Sequence, residues 1–333
     1  MPCEILRVDV ESPDPAAIAR AARVLQNGGL VAFATETVYG LGANALDASA
    51  VAKIFAAKGR PARNPIIVHV AELNDAKKLV NAWPALAQTL AERFWPGPLT
   101  LVLPKAACVP DLVTPGVPTV ALRMPAHPVA LALLRACKLP LAAPSANRST
   151  ELSPTLAEHV LAGLANRIDL VLDAGPTTGG LESTVLDLTT EPPRMLRPGL
   201  VTIAELDALI GSIDRSIPSP KDEQPIRSPG QMRRHYAPRT PLEVTLHSRR
   251  RVEEMCGQGF LVGWLTHLVE GETTVLRVVL PAGAIGYSAQ LYAALHRLDA
   301  AGLDRIVVEA PPAGDEWLAV RDRLRRAAAS GEE

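Results

Sequence analysis

The chain has 333 residues, 48% of them hydrophobic, enough apolar material for two domains of ordinary size. Its 34 lysines and arginines stand against 35 aspartates and glutamates, a formal charge of −1, which removes any global drive toward nonspecific nucleic-acid binding and leaves only a local basic pocket to consider. Cys3, Cys108, Cys137 and Cys256 are scattered, form no Cys-x-x-Cys pair for zinc, and read as thiols of a reducing cytoplasm. No apolar run is long enough to span a membrane, and the start Met1-Pro-Cys-Glu is unlike a signal peptide, so a cytoplasmic protein with no membrane partner is expected.

Apolar residues recur at helical spacing from Ile18 to Gln26, Gly28-Gly29 breaks that helix, and Leu30 to Ala34 reads as a buried strand. Alternation continues with a helix over Ser49 to Lys58, a strand over Ile66 to Val70, a helix over Ala85 to Phe94, and strands over Leu99 to Leu103 and Thr119 to Arg123. Helices at Pro128 to Cys137 and Thr155 to Leu164 are interleaved with strands at Leu139 to Ala143, Leu170 to Asp173 and Ser183 to Asp187. These predict an α/β domain with a mixed, twisted sheet, residues 1–210, closed by a helix over Ile203 to Ile210. Residues 211–241, rich in Pro, Ser and charge, read as an interdomain linker. Strands at Leu242 to Leu246, Phe260 to Leu265, Val275 to Leu280 and Arg305 to Glu309 follow. With helices near Arg249 to Met255, Ser288 to Leu298 and Trp317 to Ala328, they predict a smaller Rossmann-like α/β domain over 242–333, without the Gly-x-Gly-x-x-Gly turn of a dinucleotide site.

Chemistry concentrates where apolar runs end. Lys58-Gly-Arg-Pro-Ala-Arg-Asn-Pro65 offers three cations and an amide between a helix and a strand, a set that suits a polyphosphate; the ordinary alternative is a solvated helix C-terminus, where cations favour the dipole anyway. Thr35-Glu-Thr-Val-Tyr-Gly-Leu-Gly42 puts hydroxyls, a carboxylate and glycines after a buried strand, and Pro144-Ser-Ala-Asn-Arg-Ser149 does the same after Ala143; each is also explicable as a turn. Arg123 and Arg197 end apolar runs and need an anion, from the protein or from a substrate. His69 lies inside an apolar strand and by itself reads as a core histidine. No P-loop, Ser-His-Asp set or metal-ligand spacing is present.

In order along the chain, Thr35-Glu-Thr-Val-Tyr-Gly-Leu-Gly42, Lys58-Gly-Arg-Pro with Asn64-Pro-Ile-Ile-Val-His69, Trp95-Pro-Gly-Pro-Leu-Thr100, Val120-Ala-Leu-Arg-Met-Pro125, Ala143-Pro-Ser-Ala-Asn147, Ser153-Pro-Thr155, Glu182-Ser-Thr-Val-Leu186 and Leu196-Arg-Pro-Gly199 resemble the threonylcarbamoyl-AMP synthase family, with its YrdC-type fold. Ser228-Pro-Gly-Gln-Met-Arg-Arg-His-Tyr-Ala-Pro238 resembles the linker of the long, two-domain form, which folds back over the active site.

The resemblance implies that L-threonine, bicarbonate and ATP give threonylcarbamoyl-adenylate and pyrophosphate, the adenylate then serving downstream machinery that modifies adenosine 37 of tRNA. It implies Thr35, His69, Arg123 and Ser183 as the threonine-binding set. Lys58, Arg60, Asn64, Thr119, Ser145, Asn147, Arg197 and Tyr236 are the implied ATP-binding set, with Lys58 and Arg60 as the catalytic pair on the phosphates. Magnesium is expected with ATP, held by phosphate and water rather than by a protein cage. Many members of the family carry glycine where this chain has Thr150, which puts the shape of that turn in question. Two rivals remain: a double-stranded-RNA-binding module, since a local basic groove serves RNA as well, and a carbamoyltransferase of the hydrogenase-maturation type, whose Cys-rich zinc segments four scattered cysteines do not build.

Overall fold

A computed structural model describes residues 3–216, 235–269 and 271–329. The chain runs β1 (Glu4–Arg7), α1 (Pro15–Gln26), β2 (Val31–Phe33), β3 (Gly40–Asn44), α2 (Ala48–Lys58), β4 (Ile67–His69), α3 (Leu73–Lys77), α4 (Ala85–Phe94), β5 (Leu99–Pro104) and β6 (Thr119–Arg123). It continues through α5 (Pro128–Cys137), β7 (Leu141–Ala142), α6 (Ala157–Leu164), β8 (Leu170–Asp173), β9 (Thr184–Asp187), β10 (Arg194–Arg197) and α7 (Ile203–Ile210). These strands form one mixed ten-stranded sheet in the order β1-β8-β2-β3-β7-β4-β6-β5-β9-β10.

Local chemistry sets the boundaries. Asp14 caps α1 by accepting from the Ala16 amide, with Pro15 in the first turn, and Asp47 caps α2 through the amides of Ser49 and Ala50. Gly59 ends α2 in the left-handed conformation, φ +60°, which turns the chain abruptly after Lys58. Strands β4, β5 and β6 are buried along nearly their whole length because helices and loops cover both faces, and so they read as continuous apolar runs.

The second sheet, after the linker, comprises β11 (Leu242–Thr245), β12 (Val262–Thr266), β13 (Leu276–Val279) and β14 (Arg305–Glu309), all parallel in the order β11-β14-β12-β13. Helices α8 (Ser248–Gly257), α9 (Ala284–Asp299) and α10 (Leu318–Ala327) accompany it. One of its two apolar clusters is its own, with Val252, Val262 and Trp264, and the other is shared: Val38, Leu152 and Leu181 from loops of the first sheet join Tyr287, Leu291 and Leu295. Gly180, φ +72°, marks the closest approach, since a Cβ there would lie 2.3 Å from the Ser288 carbonyl oxygen.

The structure departs from the expected elements in four places. Gly40–Asn44, expected as loop, is β3, antiparallel to β2; its glycines carry little strand propensity, yet a Cβ on Gly42 would lie 2.8 Å from the Phe33 ring, so packing dictates the residue. Strands β1 and β10 and the short α3 were not expected, and both strands are held at sheet edges by tertiary pairing, with β8 and β9 respectively. Of the linker, residues 217–234, with the whole of the Ser228-Pro-Gly-Gln-Met-Arg-Arg stretch, lie outside the described residues. Among the described residues no helix is long and apolar enough to cross a membrane.

Candidate active site

Strand ends and the loops that follow them converge on one cavity of about 40 Å³. Thr35, Arg60, His69, Arg123, Ser145, Ser183, Arg197 and Tyr236 all line it. Register explains part of the convergence: β4 and β6 pair in parallel with His69 opposite Arg123, so both side chains leave adjacent strands at the same level. Backbone bonds dock the loop after β7 on the start of β3 and the residue before it, with the Leu41 amide donating to the Pro144 carbonyl at 2.7 Å and the Ala146 amide to the Tyr39 carbonyl at 2.8 Å. Gly199 brings the Leu196-Arg-Pro-Gly turn against β9, where a Cβ would lie 2.3 Å from the Thr184 amide nitrogen.

One corner of the cavity is built for a small carboxylate. Arg123 is fixed by donation from Nε to the Gly97 carbonyl at 3.2 Å and from Nη1 to Thr37 Oγ1 at 2.9 Å. Its Nη2 lies 2.7 Å from Glu36 Oε1, an ion pair without hydrogen-bond alignment, so that donor and both Glu36 oxygens remain without a hydrogen bond. Thr35 Oγ1 donates to the Val38 carbonyl at 2.7 Å, and Ser183 Oγ sits 2.7 Å from Thr100 Oγ1. Burial, then the charge of Arg123, pushes His69 down to about 3, so the imidazole is neutral near pH 7, with Nδ1 unbonded.

The opposite side holds buried cations. Arg60 donates from Nε to the Asn64 carbonyl at 3.1 Å and from Nη2 to the Pro65 carbonyl at 2.7 Å, and burial pushes it down to about 9. Arg197 donates from Nε and Nη2 to the carbonyl and hydroxyl of Ser183, both at 3.1 Å, and from Nη1 to the Tyr236 hydroxyl at 3.4 Å. Lys58, 2% exposed, donates to the Ser145 carbonyl at 2.6 Å, to the Asn147 carbonyl, and to Asn147 Oδ1 at 3.3 Å. Burial, then Arg60, pushes the Lys58 amine well down. Three oxygens around one Nζ nevertheless match the three donors of an ammonium, and an anion nearby would hold that charge. Among the described residues none of these three cations forms an ion pair with a carboxylate.

Four of the expected site residues do not line the cavity. Lys58 and Asn147 lie behind its wall, Lys58 as the brace of the Ser145 to Asn147 loop. Asn64 is buried in the turn that receives Arg60. Thr119 starts β6 while Arg123 ends it, so four residues of strand rise, roughly 13 Å, separate them. Thr37, Glu36, Glu182 and His235 were not anticipated; all four lie inside the quoted motifs, but nothing in a linear stretch tells a lining side chain from a supporting one. Burial and the surrounding cations Arg60, Lys58 and Arg197 hold His235 neutral, its pKa well below the ordinary value. The cavity's charged donors are cations, and among the described residues no group of three His, Cys, Asp or Glu is arranged for a metal. Magnesium fits this pocket only as the counter-ion that a nucleotide brings on its own phosphates.

Sheet, cavity and charge together define a class: a YrdC-type domain joined to a parallel α/β domain, with a carboxylate corner beside a buried cation cluster. Comparison with known proteins agrees. A family model described as telomere recombination matches residues 23–199, and one described as threonylcarbamoyl-AMP synthase, C-terminal domain, matches residues 201–329. The chain is 44% identical over 334 residues to the threonylcarbamoyl-AMP synthase of Bacillus subtilis, covering 96% of this chain and 95% of that one. It is also 44% identical over 318 residues to that of Pyrococcus abyssi, covering 92% of each. The crystal structure of P. abyssi Sua5 complexed with L-threonine superposes with a TM-score of 0.91 at 42% identity and 97% coverage of both chains. This chain belongs to the threonylcarbamoyl-AMP synthase family.

Proposed function

We propose that the chain is an L-threonylcarbamoyladenylate synthase. It takes L-threonine, bicarbonate and ATP to threonylcarbamoyl-adenylate, pyrophosphate and water. The observation that carries this reading is the pair Arg60 and Arg197, buried without a carboxylate ion pair among the described residues and lining the same cavity as Arg123, with a third buried cation, Lys58, behind its wall. Buried cations need anions, and two anionic substrates, one phosphate-rich and one a small carboxylate, supply them.

Arg123 takes the threonine carboxylate in place of Glu36, while Thr35, Ser183 and neutral His69 receive the rest of the amino acid. The threonine nitrogen joins the carbon of bicarbonate with loss of water. A carbamate oxygen then attacks the α-phosphorus of ATP, and the bond to the leaving pyrophosphate breaks. Arg60 neutralises charge on the phosphates, and Ser145 and Arg197 hold the remainder of the nucleotide, while Lys58 adds its charge from behind the wall and, with Asn147, braces the Ser145 loop. Asn64 and Thr119 act behind this layer. No protein nucleophile is required, so the protein's contribution is positioning and charge neutralisation. Magnesium supplies further neutralisation when it arrives with ATP.

Tyr236, 1% exposed with φ +59°, closes the cavity beside Arg197, which supports a lid role for residues 211–241 over bound nucleotide. Equal protease sensitivity of that segment with and without ATP plus threonine would count against the lid. The adenylate passes to the downstream tRNA-modifying machinery, and the enzyme works in the cytoplasm. Pyrophosphate release should require all three substrates, and Arg123→Ala should abolish it; release with threonine or bicarbonate omitted would sink the assignment. Steep salt-dependent RNA binding without turnover would favour the RNA-binding module instead.

A further inference from the structure

Among the described residues Arg323 is the largest side chain that is fully buried, at 1% exposure, and it belongs to α10 of the second domain, in a run of charges that reads as a solvated face. Its guanidinium leaves that domain and enters the wall of the cavity. Nε donates to Glu182 Oε2 at 2.7 Å, Nη2 donates to the Pro198 carbonyl at 3.0 Å, and the guanidinium carbon lies 5.0 Å from the centroid of the Tyr236 ring. Asp322 pairs with Nη1 at 3.0 Å and fixes the fork from its own helix.

The three contacts share a pattern. Glu182 immediately precedes Ser183, Pro198 immediately follows Arg197, and Tyr236 itself lines the cavity beside the Arg197 guanidinium. One planar group thus touches the backbone neighbour of two pocket residues and the face of a third. Glu182 is saturated: besides Arg323 it receives the Ser153 hydroxyl at 2.5 Å and the Tyr292 hydroxyl at 3.2 Å. Burial pushes Glu182 up, but Arg323 and Arg197 outweigh it and hold the carboxyl below its usual range. A carboxylate so engaged anchors an arginine rather than moving a proton.

We propose that Arg323 is a positioning residue for the adenylation reaction, through which the second domain sets Ser183, Arg197 and Tyr236 in the geometry that receives nucleotide. A flat five-donor fork suits this task, since it serves a carboxylate and a carbonyl in its plane and an aromatic ring on its face at once; an ammonium cannot. The inference rests on the synthase reading, and the second domain becomes part of the active-site scaffold rather than an appendage.

The test is steady-state pyrophosphate release with ATP and threonine varied separately, alongside thermal unfolding, on the full chain. Arg323→Lys keeps a cation beside Glu182 while losing the fork and the stack. It should raise the KM for ATP about tenfold, the weight of one charge-assisted hydrogen bond, with a smaller change in kcat. Should that protein fail to fold, the pair Arg323→Met with Glu182→Gln removes both buried charges together and should recover stability while the KM for ATP stays raised. Wild-type KM in a folded Arg323→Lys protein, or in the double variant, would overturn the proposal and leave Arg323 as an interface ion pair. Wild-type protein serves as the control for the reaction itself. If it released no pyrophosphate with all three substrates, the synthase reading would fall, whereas normal wild-type turnover with unshifted variants removes only the positioning role.

Discussion

Thr150 resolves the question its sequence raised. It adopts φ +70°, the left-handed conformation that glycine takes without cost. A β-branched residue there is strained, yet its carbonyl accepts from the Ala237 amide at 3.0 Å and so ties the turn to the segment that presents Tyr236. Thr150→Gly should therefore stabilise the protein by about 1 kcal/mol, read as a higher denaturant midpoint at unchanged slope. Arg123 makes a second residue-scale prediction. Arg123→Lys cannot reproduce the bonds from Nε to Gly97 and from Nη1 to Thr37, and should raise the KM for threonine about tenfold or more in the pyrophosphate assay. Arg123 and Arg197 were legible in the sequence because a charge at the end of an apolar run demands an anion. For Arg123, whether that anion is Glu36 or a substrate was not, since the pair joins the end of β6 to the loop after β2.

At the scale of elements, strands whose two faces are covered announced themselves as apolar runs, and β6 and β8 appear with the expected bounds. What escaped were elements whose reason lies in another part of the chain: β3 with its glycines, and the edges β1 and β10. Helix α10 is the instructive case. Ala319, Val320, Arg323, Leu324 and Ala327 fall on one buried stripe at helical spacing, so the period places Arg323 inward, while the abundance of arginine around it suggests solvent. The close turn before α7 carries an element-scale prediction. Gly199→Ala would drive a methyl to within 2.3 Å of the Thr184 nitrogen, separating β10 from β9. It should cost about 1–3 kcal/mol of stability and reduce turnover, checked by thermal unfolding and pyrophosphate release in parallel.

The whole molecule joins its two sheets through ionisable groups as well as apolar ones. His159 of α6 stacks on His296 of α9 at 3.8 Å between ring centroids, and burial, then the neighbouring imidazole, pushes His159 down from 6.5 to about 3. Between those values the unfolded chain binds the proton that the folded chain refuses, so stability falls as pH drops below about 6.5. His69 and His235 act in the same sense. Glu182, held below its usual range, keeps its contribution at neutral pH and loses it only at more acidic pH, as the carboxyl protonates. His159→Gln should flatten part of the decline in unfolding temperature between pH 6.5 and 5; an unchanged slope would show that the stacked pair does not titrate in this way. The interface was not legible in advance, because the residues that meet there are far apart in the chain and ordinary where they stand. Its shared apolar cluster bears on cooperativity. With Val38, Leu152 and Leu181 seated among Tyr287, Leu291 and Leu295, opening of the first half strips part of the core of the second, so the second should not outlast the first on heating. Probes at Trp83 in the first half and Trp264 in the second would then report a Trp264 midpoint no higher than that of Trp83, and the second domain, through Arg323, would set the upper working temperature of the pocket whose wall it braces.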